Sequence, residues 1–154
     1  MSTRTIVLTA LLGLFATSAC LAADANMGTW KLNEAKSTIP AGAPKNSTVV
    51  YAAAGADVKV TVDGVSGDGK ATHNEWTGKF DGKDYPVTGD ATQDARAYRK
   101  IDASTMELDV KKGGKVLLTG NIILSTDGKS RTVKLSGTDA AGKKISTSAT
   151  YDKQ

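Results

Sequence analysis

The chain has one histidine, His73, and Glu75 shares its strand face two residues on. An imidazole beside a carboxylate could move a proton or hold a metal weakly. Nucleophilic catalysis needs a Ser, Cys or Thr within reach of such a base, with a third group to orient it. The order of residues sets up no such arrangement. Structural zinc usually takes four His or Cys ligands, and the chain has one of each. Its Asp and Glu residues fall mostly at turns, where no two stand out as a general acid and base couple. These observations point to a surface histidine, no metal, no cofactor and no enzyme.

Two glycine-rich stretches imitate phosphate sites. Gly64-Val65-Ser66-Gly67-Asp68-Gly69-Lys70 fills the first seven positions of a P-loop, but Ala71 follows where Mg²⁺ ligation needs Ser or Thr. Gly137-Thr138-Asp139-Ala140-Ala141-Gly142-Lys143 does the same, with Lys144 next. A P-loop must also open a helix whose N-terminus receives the phosphate. Strand-like sequence follows both, so both are read as hairpin turns.

The remaining candidates concern binding. Thr72, Asn74, Trp76 and Phe80 alternate onto one face of Ala71–Phe80, and Tyr98 lies on a later strand. The aromatic rings offer contact area, and Thr72 and Asn74 offer polar anchors. The same rings could equally fill a core. The net charge is +4, from 20 Lys and Arg against 16 Asp and Glu. Nucleic-acid binders gather such charge on one face, whereas these lysines are dispersed over turns and strands. No nucleic acid is expected as a partner, and a monomer is expected.

The elements that would position these residues begin after a leader. Residues 1–23 have the three parts of a signal peptide: Arg4, an apolar run from Ile6 to Ala16, then small residues. The run is shorter than the roughly 20 residues of a membrane span. Cleavage is expected near Ala23, or after Ala25, leaving one domain over 24–154. Thr17-Ser18-Ala19-Cys20 partly resembles a bacterial lipobox, which gives Cys20 a second fate as a lipid anchor. The expected location is periplasmic or secreted, with no membrane span.

From Met27 onward the pattern is strand and turn. Val58, Val60 and Val62 alternate with polar residues, as do Met106, Leu108 and Val110, which is the period of a half-buried strand. Asp63-Gly64, Asp68-Gly69, Asp81-Gly82, Gly113-Gly114 and Asp127-Gly128 are read as turns. Glu34–Asn46, with Pro40 and Pro44, is a long loop that begins with one possible helical turn. The fold class is all-β: nine or ten short strands in an antiparallel up-and-down meander, closed into a β-barrel of about 8–10 strands. Many of the inward candidates are Thr, Ser, Asn or Ala. Such a barrel can be hollow enough for one small ligand.

Gly28-Thr29-Trp30-Lys31-Leu32 resembles the G-x-W opening of lipocalins and the GTWKL opening of intracellular fatty-acid-binding proteins. Thr150-Tyr151-Asp152-Lys153 is similar to the ending of the latter family. The resemblance implies a calycin-type barrel in which Gly28, Trp30 and Tyr151 serve closure. It also resembles small exported bacterial proteins of unassigned function. Fatty-acid-binding proteins hold the ligand carboxylate with two interior arginines. The simplest alignment puts Asn121 and Ala149 at those positions, which argues against tight fatty-acid capture. Their helical lid is also missing. The expected function is non-catalytic binding or carriage of a small, partly apolar molecule. The alternative is an envelope interaction module that binds a protein or polysaccharide through its loops.

Overall fold

The computed structural model describes residues 24–139 and 141–154. The expected leader, with Cys20, lies outside the described residues. Ten antiparallel strands form a closed barrel in which every strand pairs with its neighbours in sequence, and the last pairs with the first. They are β1 (Gly28–Leu32), β2 (Lys45–Ala54), β3 (Asp57–Val65), β4 (Ala71–Gly78) and β5 (Asp81–Thr88). Then come β6 (Ala95–Lys100), β7 (Thr105–Lys112), β8 (Lys115–Leu124), β9 (Ser130–Thr138) and β10 (Lys144–Lys153). The expected all-β meander is therefore the fold. No helix among the described residues is long and apolar enough to cross a membrane.

Closure runs through β1. It pairs Trp30 with Val49 of β2 on one side and with Lys153 of β10 on the other. The seam continues past the strand, because Thr38 forms an isolated bridge to Ser148. Between them Glu34–Lys36 makes one turn of 3-10 helix, capped by the Asn33 side chain. Closure leaves no strand of the sheet with an open edge.

Alternation along the strands separates inside from outside. Met106, Leu108 and Val110 of β7 are buried, and so are Val60 and Val62 of β3. Tyr51, Trp76, Phe80, Tyr85 and Tyr98 gather into one aromatic cluster. The Trp76 and Tyr98 centroids lie 4.6 Å apart, edge to face, and Trp76 stacks on Phe80 at 6.3 Å and 9°. Such pairs add about 0.5–1.5 kcal/mol each beyond the area they bury. The weakest seam is β4 to β5, with partners only at Glu75–Thr88 and Trp76–Val87. There the Tyr85 ring lies directly over Gly78.

Two expected turns prove to be strand. Asp63-Gly64 lies inside β3, and the turn is confined to Ser66–Lys70. Asp81-Gly82 opens β5 with an irregular register between Asp81 and Asp84, and the chain reverses at Lys79-Phe80 instead. Phe80 packs against the core from that reversal, which explains why an apolar residue occupies a turn. Gly120 pairs regularly with Leu108, and the irregularity of the β7–β8 ladder falls at Val110/Lys111.

Gly120 has a different reason to be glycine. A Cβ there would run into the carbonyl oxygen of Lys134 on β9. Gly120→Ala should therefore cost about 1–3 kcal/mol through forced separation of β8 and β9. Equilibrium urea unfolding measures this, and the midpoint should fall with the slope unchanged.

Candidate functional site

The barrel is hollow. A cavity of about 400 Å³ runs through its interior and reaches loop residues that all lie at one end. Those residues come from the β1–β2 loop (Ile39, Pro44), the β5–β6 loop (Asp90, Gln93) and the β9–β10 turn (Asp139, Ala141). In an up-and-down barrel alternate connections share an end, so these loops form a mouth. Midway the wall is apolar, with Val62, Leu108, Val110, Ile122 and Val133. Ala149 contributes a small inward residue on β10, and Thr147 a second. Side chains of this size leave the centre unfilled.

The other end is sealed. Trp30 is fully buried, and its indole Nε1 donates to the Asn26 carbonyl at 2.8 Å. Arg131 of β9 lies inside the barrel, 2% exposed. Its guanidinium carbon sits 4.5 Å from the centroids of both Trp30 and Tyr51, and 5.5 Å from that of Tyr151. Lys153 Nζ lies 5.1 Å from the Trp30 centroid. Arg131 Nε and Nη1 are buried without a hydrogen-bond partner among the described residues. Cation–π contacts are worth about 0.5–2 kcal/mol each, against several kcal/mol for taking an ion out of water. The rings thus offset only part of the cost. Burial pushes the Tyr151 hydroxyl up to about 12, with the Arg131 charge opposing and Tyr51 adding to the rise. It stays protonated at any ordinary pH.

A second guanidinium enters nearer the mouth. Arg96, 5% exposed, lines the cavity from the start of β6. Its Nε donates to Gln93 Oε1 at 2.6 Å, and Nη2 donates to Asn74 Oδ1 at 2.9 Å. Its backbone carbonyl accepts from Trp76 Nε1 at 3.1 Å. Gln93 in turn donates through Nε2 to the Asp90 carboxylate. Burial alone would raise Asp90. Hydrogen bonds from Thr92 and Gln93, with the charge of Arg96, outweigh it and hold the carboxyl below its usual range. Burial pushes the Tyr98 hydroxyl well up, Tyr51 adds to that, and Arg96 opposes it.

Of the five candidate lining residues, Thr72, Asn74 and Tyr98 reach the cavity wall. Trp76 and Phe80 instead stack on each other in the aromatic cluster. Gly28 has φ +112°, and a Cβ there would press on the Lys153 side chain at 3.2 Å. Tyr151 is buried and belongs to both the floor and the wall. Asn121 is exposed on the outer face, while Ala149 faces the cavity. Sequence reasoning missed both interior arginines. Their signal was strand alternation: Arg131 shares a face with Val133 and Leu135, and Arg96 shares one with Tyr98.

The chemical candidates stay on the surface. His73 is exposed, with Nδ1 2.6 Å from Asp63 Oδ1 and Nε2 3.7 Å from Glu75 Oε1. Glu75 is also paired with Lys59 at 2.8 Å. Among the described residues no three His, Cys, Asp or Glu side chains gather as a metal site. Gly64–Lys70 is strand end and turn followed by β4, not by a helix. Gly137–Lys143 joins β9 to β10, with residue 140 outside the described residues. A second hollow, about 360 Å³, lies on the outer wall of β8–β10 among Thr119, Lys134, Ser136 and Ser146. It holds no buried anchor. Comparison with protein-family models gives no match, and comparison with curated proteins likewise gives none.

The His73 pair makes a test of this surface geometry. The hydrogen bond to Asp63 raises the imidazole above its usual value, partial desolvation opposes it, and the charges of Asp63 and Glu75 add. A raised folded value means the pair stabilises below about pH 6.5 and loses that contribution as pH rises through the folded value. Because the chain has one histidine, a single NMR imidazole signal reports it. It should titrate above about 6.5, and Asp63→Asn should bring it down.

Proposed function

We propose that the protein is an exported, lipocalin-like barrel that binds a small, partly apolar molecule in its interior and performs no catalysis. The observation that carries this reading is the cavity of about 400 Å³, apolar midway and reaching a ring of loops at one end. Pockets of roughly 300–1,000 Å³ with a few placed polar groups are the usual form of small-molecule sites. Asn74, Arg96 and Tyr98 supply such groups here. The export signal of residues 1–23 and the GTWKL resemblance support the same reading.

The alternative was an interaction module that works through its loops. An exposed aromatic patch would favour it. Trp30, Tyr51, Trp76, Tyr98 and Tyr151 are buried instead, and Phe80 and Tyr85 pack against them. The exposed large apolar residues are Val65 on β3, Ile101 between β6 and β7, and Val116 and Ile123 seven residues apart on β8, none of them aromatic. Carriage within the barrel is therefore the favoured reading.

Native mass spectrometry of protein purified from its own host tests it, followed by extraction of the bound mass. A retained small molecule is the expected result. Protein recovered empty and indifferent to lipids, hydrophobic dyes and metals would contradict it. A substitution sharpens the test. Ala149→Trp fills the cavity from β10, so it should weaken binding of the neutral dye N-phenyl-1-naphthylamine about tenfold. Fluorescence titration reads the loss. The melting temperature should hold or rise, because the new ring occupies space that is void in the parent.

A further inference from the structure

We infer that the cavity's ligand is an organic anion, an apolar body carrying a carboxylate or sulfonate, and that Arg96 near the mouth receives its charge. This rests on the carrier reading above and names the chemistry of its ligand.

Arg96 is set apart by how it is held. Two side chains orient its guanidinium, and both are neutral amides, Gln93 and Asn74. They fix the plane of the group without neutralising it. Asp90 is set one residue further out, bonded to Gln93 rather than to the arginine. A buried cation is ordinarily matched by a carboxylate in direct contact. Here the structure keeps the carboxylate behind a spacer and turns the charge to the cavity wall. A fixed planar donor with no carboxylate bonded to it among the described residues is a receptor for an anion, and a guanidinium suits the two oxygens of a carboxylate or sulfonate.

Arg131 is a poorer receptor, although among the described residues it too has no carboxylate paired with it. Trp30 and Tyr51 lie against it, each 4.5 Å away. It too lines the cavity, but its Nε and Nη1 are buried, so a ligand would have to part the floor to bond those two. The apolar wall lies between the two arginines. An anion at Arg96 therefore leaves the apolar body to run inward over Val62, Leu108 and Val133. The charged end then sits by the mouth, where the Gln93 and Asp90 side chains also line the cavity.

A matched pair of dyes tests this. N-phenyl-1-naphthylamine and 8-anilinonaphthalene-1-sulfonate share one aromatic body, and only the second carries a sulfonate. Fluorescence titration of the purified protein should show the sulfonate dye bound about tenfold tighter. Arg96→Met should remove that advantage and leave the neutral dye within about twofold of the parent. Arg131→Met should keep the advantage. Asp90→Asn, at the mouth, should tighten the sulfonate dye about threefold by removing a competing charge. That variant and the parent's own dye ratio decide the matter even if Arg96→Met does not fold. Equal affinities in the parent would overturn the anion assignment and leave the carrier reading standing. So would an Asp90→Asn chain indistinguishable from the parent, and an advantage lost only in Arg131→Met would overturn Arg96 as the anchor. Failure of both dyes to bind would overturn the carrier reading itself, and the inference with it.

Discussion

One contact sets what the rest of the barrel can be: the Arg131 guanidinium held between the Trp30 and Tyr51 rings, 4.5 Å from each. Three strands meet in it. Trp30 is on β1, Tyr51 on β2 and Arg131 on β9, with Tyr151 of β10 at 5.5 Å. These are the strands on either side of the closing seam. The contact fills one end of the barrel with large flat groups, and the stacking does not require the cavity above to be filled. Its stability comes chiefly from buried ring area, since the cation–π gain offsets only part of the cost of burying a charge. What the charge adds is geometry. An aliphatic residue at 131 would pack, but it would not select the faces of the rings.

Above that floor the wall is built from medium and small side chains. Val62, Leu108 and Val133 face inward, alongside Thr147 and Ala149. Aromatic bulk is drawn to one side instead, where Trp76, Phe80 and Tyr85 cover the short β4–β5 seam. The division has a functional consequence. Rings that could have filled the centre instead support the wall's weakest line of backbone pairing, and the centre stays open. The two interior guanidiniums then differ by surroundings. One is stacked into the floor, and the other is oriented by amides beside the mouth. The same side chain thus serves closure in one place and, on the proposed reading, recognition in the other.

Much of this was legible in the residues. Gly113-Gly114 and Asp127-Gly128 marked true turns, and Val58–Val62 and Met106–Val110 marked true strands. Topology followed because consecutive strands joined by short turns have few other ways to pair. Asp63-Gly64 misled because Gly64 is glycine for another reason: the Lys45 carbonyl lies where its side chain would be. Local turn chemistry cannot distinguish the two. The site was less legible than the fold. Thr72 and Asn74 were placed on one face by alternation, and Tyr98 was named only as a ring on a later strand; all three line the cavity. Trp76 and Phe80 share that pattern, but strand period does not say how far along the barrel a ring will lean. Arg96 and Arg131 obeyed the inward period, yet a charge argues for solvent. The aromatic cage that overrules this is assembled from strands distant in sequence, and the amide pair joins the nearby loop residue Gln93 to Asn74 of β4.

In the proposed carrier a small molecule enters the hollow rather than resting on the outer wall. Methyl-resolved NMR of the protein with N-phenyl-1-naphthylamine tests this most directly, through nuclear Overhauser contacts from the dye. Contacts to Val62, Leu108, Ile122 and Val133, all on the cavity wall, are the expected result, with none to the exposed Ile101 and Ile123. Contacts confined to Ile101 and Ile123, with the interior methyls silent, would contradict it.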